Sequence, residues 1–278
     1  MDSSEYCREL AAPAGSSLYY ATLFYRPEEK QKLLGVFALL TELNKTVIHC
    51  QDPGVARIKL QWWVEELDRL YLTQARHPVS KLIQTFVNSS HLEQRQLQQL
   101  VQLAENEINP LPVNSLSSLI ESKAHSHGHG WRLADSLISS NPNQPRDLLN
   151  KLAGLYSSIE TMQTAAEKLH RGYCVFPEDL MNKHDLRPDD LLNLPLPAQT
   201  ACFLKDIFDF LHSELDATLN TLPDKMIQLP TFAFCLSLIA RAKCNVLRNQ
   251  SDPRALQNAN ITPLKKLWLS WKAKRKSA

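Results

Sequence analysis

The sequence predicts an all-α protein, folded as one helical bundle. Three observations carry this. Almost every long segment places apolar residues at i, i+3 and i+4, the spacing of one helix face. Strand signals are nearly absent, and no Asn-Gly or Asp-Gly hairpin dipeptide occurs. Prolines stand at segment boundaries, where they start or stop helices.

The elements follow in order. A short helix is expected from Ser16 to Phe24, after the Pro13–Gly15 breaker. Arg26-Pro27-Glu28-Glu29 reads as a helix start, with Pro early and acids in the first turn. From there to about His49, Leu33, Val36, Phe37, Leu40, Leu43 and Val47 make one apolar face. Asp52-Pro53 opens the next helix, with Asp as cap, and it runs to about Thr73 over Leu60, Trp63, Leu67 and Leu70. His77-Pro78 restarts a helix to about Asn88, and Leu92–Ile108 is a Gln-rich helix broken by Pro110 and Pro112.

Val113–Ser139 is a further helix, with His125-Ser126-His127-Gly128-His129-Gly130 inside it. The two glycines lower helix propensity there, so a kink or a polar lining is expected. Asn141–Pro145 reads as a loop, and Arg146 begins a long helix that ends in the stretch Ser157–Pro177. Short pieces at Glu178–Lys183 and Pro188–Leu192 follow. Ala198–Leu222 and Pro230–Asn249 are strong helices, the second apolar enough to be central. Leu264–Lys276 is a last amphipathic helix, and residues 263–278 form a basic C-terminal helix and tail on a single domain spanning 1–278.

Composition narrows function. Hydrophobic content of 44% and charged content of 22% are ordinary for a globular protein and allow a sizeable core. With Gly at 7 in the chain and no Walker or G-x-G-x-x-G sequence, Gly-rich phosphate loops are excluded. A net charge of +2 and the lack of any nucleic-acid motif exclude a nucleic-acid partner. The six cysteines have no paired spacing and read as reduced thiols, several of them in the core. The start, MDSSEYCREL, has no apolar signal core, and the longest apolar run, Phe232–Ala240, is about half of what a bilayer span needs. A cytoplasmic protein is expected, with membrane contact peripheral if present.

Four stretches carry a resemblance. They are Ser17-Leu18-Tyr19-Tyr20 with Phe24; Val36-Phe37-Ala38 leading to Glu42; Ala56-Arg57-Ile58-Lys59-Leu60-Gln61-Trp62-Trp63 with Glu65-Glu66-Leu67, Tyr71 and His77-Pro78-Val79; and Arg171-Gly172 with Phe176-Pro177. In this order they resemble the squalene/phytoene synthase family, the head-to-head prenyl-diphosphate synthases. The Ala-Arg…Trp-Trp stretch is fairly specific. The resemblance implies a helical bundle of the isoprenoid-synthase type around a central apolar cavity. It also implies two Asp-rich motifs on facing helices, which hold Mg²⁺ for substrate ionisation.

The departures fall on that chemistry. The first Asp-rich motif aligns with Asn44–Ile48, so Asn44, Lys45 and Ile48 stand where aspartates are expected. The second aligns with Thr164–Lys168, so Thr164 and Lys168 replace its aspartates. Tyr173 and Val175 replace the Arg and Tyr of the exit. Mg²⁺ needs hard carboxylate oxygens, which Asn supplies poorly and Lys repels. Lysines can meet a phosphate directly as point charges.

The candidate residues follow from this. Lys45, Lys168, Arg171 and Tyr173 are candidates for a phosphate-binding rim. Tyr20, Phe37, Glu42 and Thr164 are candidates for the cavity. Glu42, Glu66, Glu160 and Glu167 are the carboxylates left for metal, with glutamates at a surface or rim as the competing reading. His125 and His129 share a helix face at the i, i+4 spacing of zinc helices, but Ser126 stands where a metallopeptidase has Glu. No catalytic residue is assigned.

The resemblance thus implies a diverged homologue that keeps an isoprenoid- or lipid-binding fold without the condensation and needs no cofactor. A related eukaryotic branch that has lost the aspartates acts in assembly of mitochondrial complex I, so an assembly-factor or scaffold role with a protein partner is compatible. The alternative is an active Mg²⁺-dependent prenyltransferase with altered ligands, and a third is a ligand-free helical interaction module. Trp268 and Trp271 with flanking lysines suggest either contact with an anionic membrane or a helix that caps the core with its tryptophans inward.

Overall fold

The computed structural model describes residues 2–50, 52–139, 146–222 and 229–277. Among them the chain forms thirteen α-helices and two short 3-10 segments, with no strand. By contact the chain divides into two compact units that interleave along the sequence: residues 1–110 with 129–143, and 111–128 with 144–278.

The first unit opens with α1 (Ser3–Ala11), which the sequence reading missed. Its apolar marks are too few to show a period. It forms because Cys7 is fully buried and because the helix packs on α3 (Pro27–His49) and α5 (Pro78–Gln84). The expected helix at Ser16 is shorter, α2 (Ser17–Ala21), with Ser16 Oγ accepting from the Tyr19 N–H. In α3, Glu29 reaches back to accept from the Arg26 N–H. Asp52 caps α4 (Pro53–Tyr71) by accepting from the Gly54 and Val55 N–H groups. Helix α4 packs on α5 and on α6 (Gln94–Glu105). The C-terminal part of α7 (Leu116–Ser136) completes the unit.

Helix α7 runs unbroken through His125–Gly130. The glycines there have a packing reason. A Cβ on Gly130 would come 2.6 Å from Leu40 Cδ1 of α3 in the same unit.

The second unit holds the start of α7, then α8 (Arg146–Gln163), α9 (Ala165–His170), α10 (Glu178–Lys183), α11 (Thr200–Asn220), α12 (Thr231–Leu247) and α13 (Pro263–Ser277). The expected loop at Asn141–Pro145 lies outside the described residues. Helix α12 is central, as its apolar sequence predicts, and packs on α8, α11 and α13. Phe232, Leu236, Ile239, Ala240 and Leu247 are among its buried residues. Gly154 of α8 lies against α7, where a Cβ would come 2.6 Å from the Ile120 carbonyl oxygen.

The long helix expected from Arg146 is broken into α8 and α9 at Thr164. The physical reason is local. Thr164 Oγ1 donates to the carbonyls of Glu160 and Thr161 at 3.3 and 3.2 Å, in competition with the regular backbone pattern. Helix α9 then ends in a Schellman turn. The Gly172 N–H donates to the Leu169 carbonyl and the Tyr173 N–H to the Lys168 carbonyl, both at 2.9 Å. Gly172 sits at φ +87°, where a side chain would be strained, and this accounts for the Arg-Gly pair at the exit.

The cysteines are free thiols. Cys7, Cys235 and Cys244 are buried, and burial pushes each up to about 12, so they act as small apolar residues.

Candidate functional site

The first unit gathers its polar residues around His77. Trp63 and Trp62 of α4 meet the His77 ring edge-on at centroid distances of 4.8 and 6.0 Å, and Tyr6 of α1 meets it at 5.6 Å. His77 Nδ1 accepts from the Val79 N–H and so caps α5. Burial pulls the imidazole below its usual pKa, against attraction from Glu42 and Glu66, so the neutral form is favoured.

Glu66 lies beneath this turn with 0% exposure. Its Oε1 accepts from the Arg76 and His77 N–H groups at 2.6 and 2.7 Å and from the Ser80 hydroxyl. Its Oε2 accepts from Arg69 Nε at 2.9 Å. Burial alone would raise this carboxyl, but the donors outweigh it and hold the group at about 2. Glu66 is therefore a clamp that ties α4 to the start of α5. Glu66, three residues after the Trp62-Trp63 pair that ends the Ala-Arg…Trp-Trp stretch, thus has a structural role.

Glu42 of α3 accepts from the Tyr6 hydroxyl at 2.9 Å. Burial, and then this carboxylate, pushes the Tyr6 phenol up to about 12. Tyr20 is half-buried with its ring edge-on to Tyr19 at 5.2 Å, and Phe37 is half-buried on α3. Asn44 and Lys45 are exposed, while Ile48 is half-buried. His129 Nε2 lies 3.3 Å from the Gln96 carbonyl and its Nδ1 3.4 Å from Arg132 Nη2. A guanidinium at that distance is a poor neighbour for a metal-binding nitrogen. His125 is exposed.

The second unit places the other candidates along α8 and α9. Glu160 Oε1 accepts from Lys243 Nζ of α12 at 2.6 Å. Lys243 also donates to Gln163 Oε1 at 3.0 Å, and Gln163 Nε2 donates to the Leu256 and Ala259 carbonyls. Lys266 of α13 belongs to the same cluster and is, like Lys243, only 4% exposed. Burial, and then repulsion from Lys243, pulls its ammonium below the usual range, against attraction from Glu160. Glu167 accepts from Arg171 Nη2 at 2.6 Å, one helical turn away at the rim. Thr164 and Lys168 are half-buried, and Tyr173 is exposed.

Each of the four candidate metal carboxylates is thus engaged by a protein donor: Glu42 by Tyr6, Glu66 by four groups, Glu160 by Lys243 and Glu167 by Arg171. Among the described residues no three His, Cys, Asp or Glu come together as a metal cluster. Sequence reasoning missed Lys243, Gln163 and Lys266. The signal was Lys243, set between Ala242 and Cys244 just beyond the apolar run Phe232–Ala240, since a charge is seldom buried unless it is paired.

Comparison with known proteins agrees with this architecture. A family model described as squalene/phytoene synthase matches residues 11–262. No curated protein matches. Among solved structures, a dehydrosqualene synthase in complex with ligand is similar at a TM-score of 0.79 and 12% identity, over 98% of this chain and 95% of that one. Squalene synthase HpnC from Alicyclobacillus acidocaldarius is similar at a TM-score of 0.68 and 15% identity, over 90% of this chain and 94% of that one. At those identities the structural likeness speaks for the fold, and the family match over most of the chain speaks for descent: the protein belongs to the squalene/phytoene synthase family.

Proposed function

We propose that this chain is a diverged squalene/phytoene-synthase-like protein. It keeps an isoprenoid- or lipid-binding fold and has given up magnesium-dependent condensation. One observation carries the reading. The four carboxylates near the lost Asp-rich motifs are each held by a protein donor, two of them by a lysine or arginine at 2.6 Å. A donor set of this kind does not fit Mg²⁺, which takes hard oxygens in octahedral array and is repelled by nearby ammonium groups. Asn44, Lys45, Ile48, Thr164 and Lys168 at the aligned positions support the same conclusion.

The purpose of the fold is then to hold a prenyl lipid or to act as a scaffold for a partner protein. Incubation of purified protein with farnesyl or geranylgeranyl diphosphate and Mg²⁺ tests this. The expected result is no condensation product, with saturable binding of the prenyl diphosphate. Product that disappears in both Glu160→Ala and Glu167→Ala variants overturns the reading in favour of an active transferase with altered ligands. Glu167 is included because Glu160 also supports Lys243. Absence of any prenyl-lipid binding moves the function to the scaffold role.

A further inference from the structure

Helix α13 carries two stripes of opposite fate. Lys266, Leu269, Ser270 and Ala273 recur at i, i+3, i+4 and i+7 and are buried, and the helix is anchored on α12. Leu264, Leu267, Trp268 and Trp271 recur at the same spacing on the other side. They are 79, 40, 53 and 47% exposed. The expectation that a core-capping helix turns its tryptophans inward is therefore corrected: the inward stripe is made of smaller side chains. Two large indoles in water are costly, with about 25 cal/mol lost per Å² of apolar surface left uncovered.

The charges frame this outer stripe. At about 100° per residue, Lys265, Lys272 and Lys276 fall along one border and Lys274 along the other. Arg275 lies on the stripe itself, with its guanidinium 4.7 Å from the Trp271 ring centroid, and Lys272 Nζ stands 5.4 Å from that of Trp268. Residues 263–278 contain six lysines and arginines and no acid. Only Lys266 among these cations is buried.

We propose that this outer face of α13 docks on an anionic lipid bilayer. Indoles at the level of the headgroups, an apolar stripe beneath and cations at its borders are the chemistry of an interfacial helix. The lysine stems lie along the apolar stripe while their ammonium groups reach lipid phosphate. The charge argues against the other occupants. A second copy of the same face would bring two clusters of like charge together. An acidic protein surface would satisfy the cations but has no need of two exposed indoles beside them. No helix among the described residues is long and apolar enough to cross a membrane, so the contact is peripheral. The inference is independent of what the core binds.

Co-sedimentation of the full chain with vesicles tests it. The vesicles are pure phosphatidylcholine, or equal parts of phosphatidylcholine and phosphatidylglycerol. Binding is expected to the mixed vesicles, weakened by high salt, and far weaker to the neutral ones. Replacing Lys272, Lys274 and Arg275 by Ser is expected to lower affinity by roughly a hundredfold, at about tenfold or less per surface cation. A Trp268→Ala/Trp271→Ala variant is expected to lose binding as well. Neither set belongs to the buried stripe of α13, and unchanged circular dichroism and denaturation midpoint show that the fold is retained. No binding to the anionic vesicles overturns the proposal. So does equal binding to neutral ones, or binding indifferent to both variants. Self-association of the free protein that is abolished by the tryptophan variant overturns it in favour of a second copy.

Discussion

Lys243 Nζ of α12 lies 2.6 Å from Glu160 Oε1 of α8, and the two partners differ sharply in exposure. The lysine side chain is 5% exposed and the glutamate 41%. Loss of the carboxylate therefore strands a buried ammonium that keeps its bond to Gln163, whereas loss of the lysine leaves a carboxylate that water can reach. Glu160→Ala is expected to destabilise the fold by about 3 kcal/mol, and Lys243→Met by about half that. Urea denaturation of the two variants measures the order, and equal effects would show that the burial asymmetry is unimportant.

Glu66 makes a pH-dependent contribution. Its folded pKa is about 2, against an ordinary value of 4.5. A depressed carboxyl stabilises the fold fully above the unfolded pKa and loses that contribution as pH falls toward the folded one. Roughly 3 kcal/mol is expected to be lost between about pH 4.5 and about pH 2. Glu66→Gln is expected to be destabilised at neutral pH, because an amide cannot accept from all four donors, and to show a flatter acid limb. Denaturation midpoints across pH check both.

His77 titrates in the opposite chemical sense with the same outcome. Its folded pKa lies below 6.5 because burial disfavours the imidazolium. The stabilisation is complete above 6.5 and is lost as pH falls, since the unfolded chain takes the proton first. An NMR titration is expected to place the His77 midpoint below 6.5.

Two glycines test close approach. Ala normally gains about 1 kcal/mol over Gly in a helix interior. At Gly154 the added methyl meets the Ile120 carbonyl oxygen at 2.6 Å and Ala124 at 2.9 Å, largely unyielding backbone. Gly154→Ala is expected to cost about 3 kcal/mol. At Gly130 the obstacle is the end of the Leu40 side chain, which can rotate, so Gly130→Ala is expected to cost about 1 kcal/mol or less. Thermal unfolding of the pair separates backbone from side-chain obstruction.

The elements were legible wherever a helix had a long apolar stripe or a strong start signal. Helices α3, α4 and α12 begin within one residue of their expected starts, because Pro and a capping residue act locally. Helix α1 was not legible, since Cys7 is its single buried apolar anchor and α3 and α5 supply the rest of its support. The break at Thr164 was not legible either. A hydroxyl that bonds back to its own helix becomes decisive only when the surrounding fold selects that geometry.

The sequence by itself determined the helical class and the family, and it carries no aspartate at positions 44–48 or 164–168, because residue type and spacing are local facts. Tertiary structure alone decided what the remaining charges do. It paired Glu160 with Lys243, some eighty residues away, and placed four donors around Glu66. It also turned Trp268 and Trp271 outward. Periodicity shows that α13 has two faces. Only packing against α12 selects the one that is buried, because burial depends on which neighbour leaves room for which side chain.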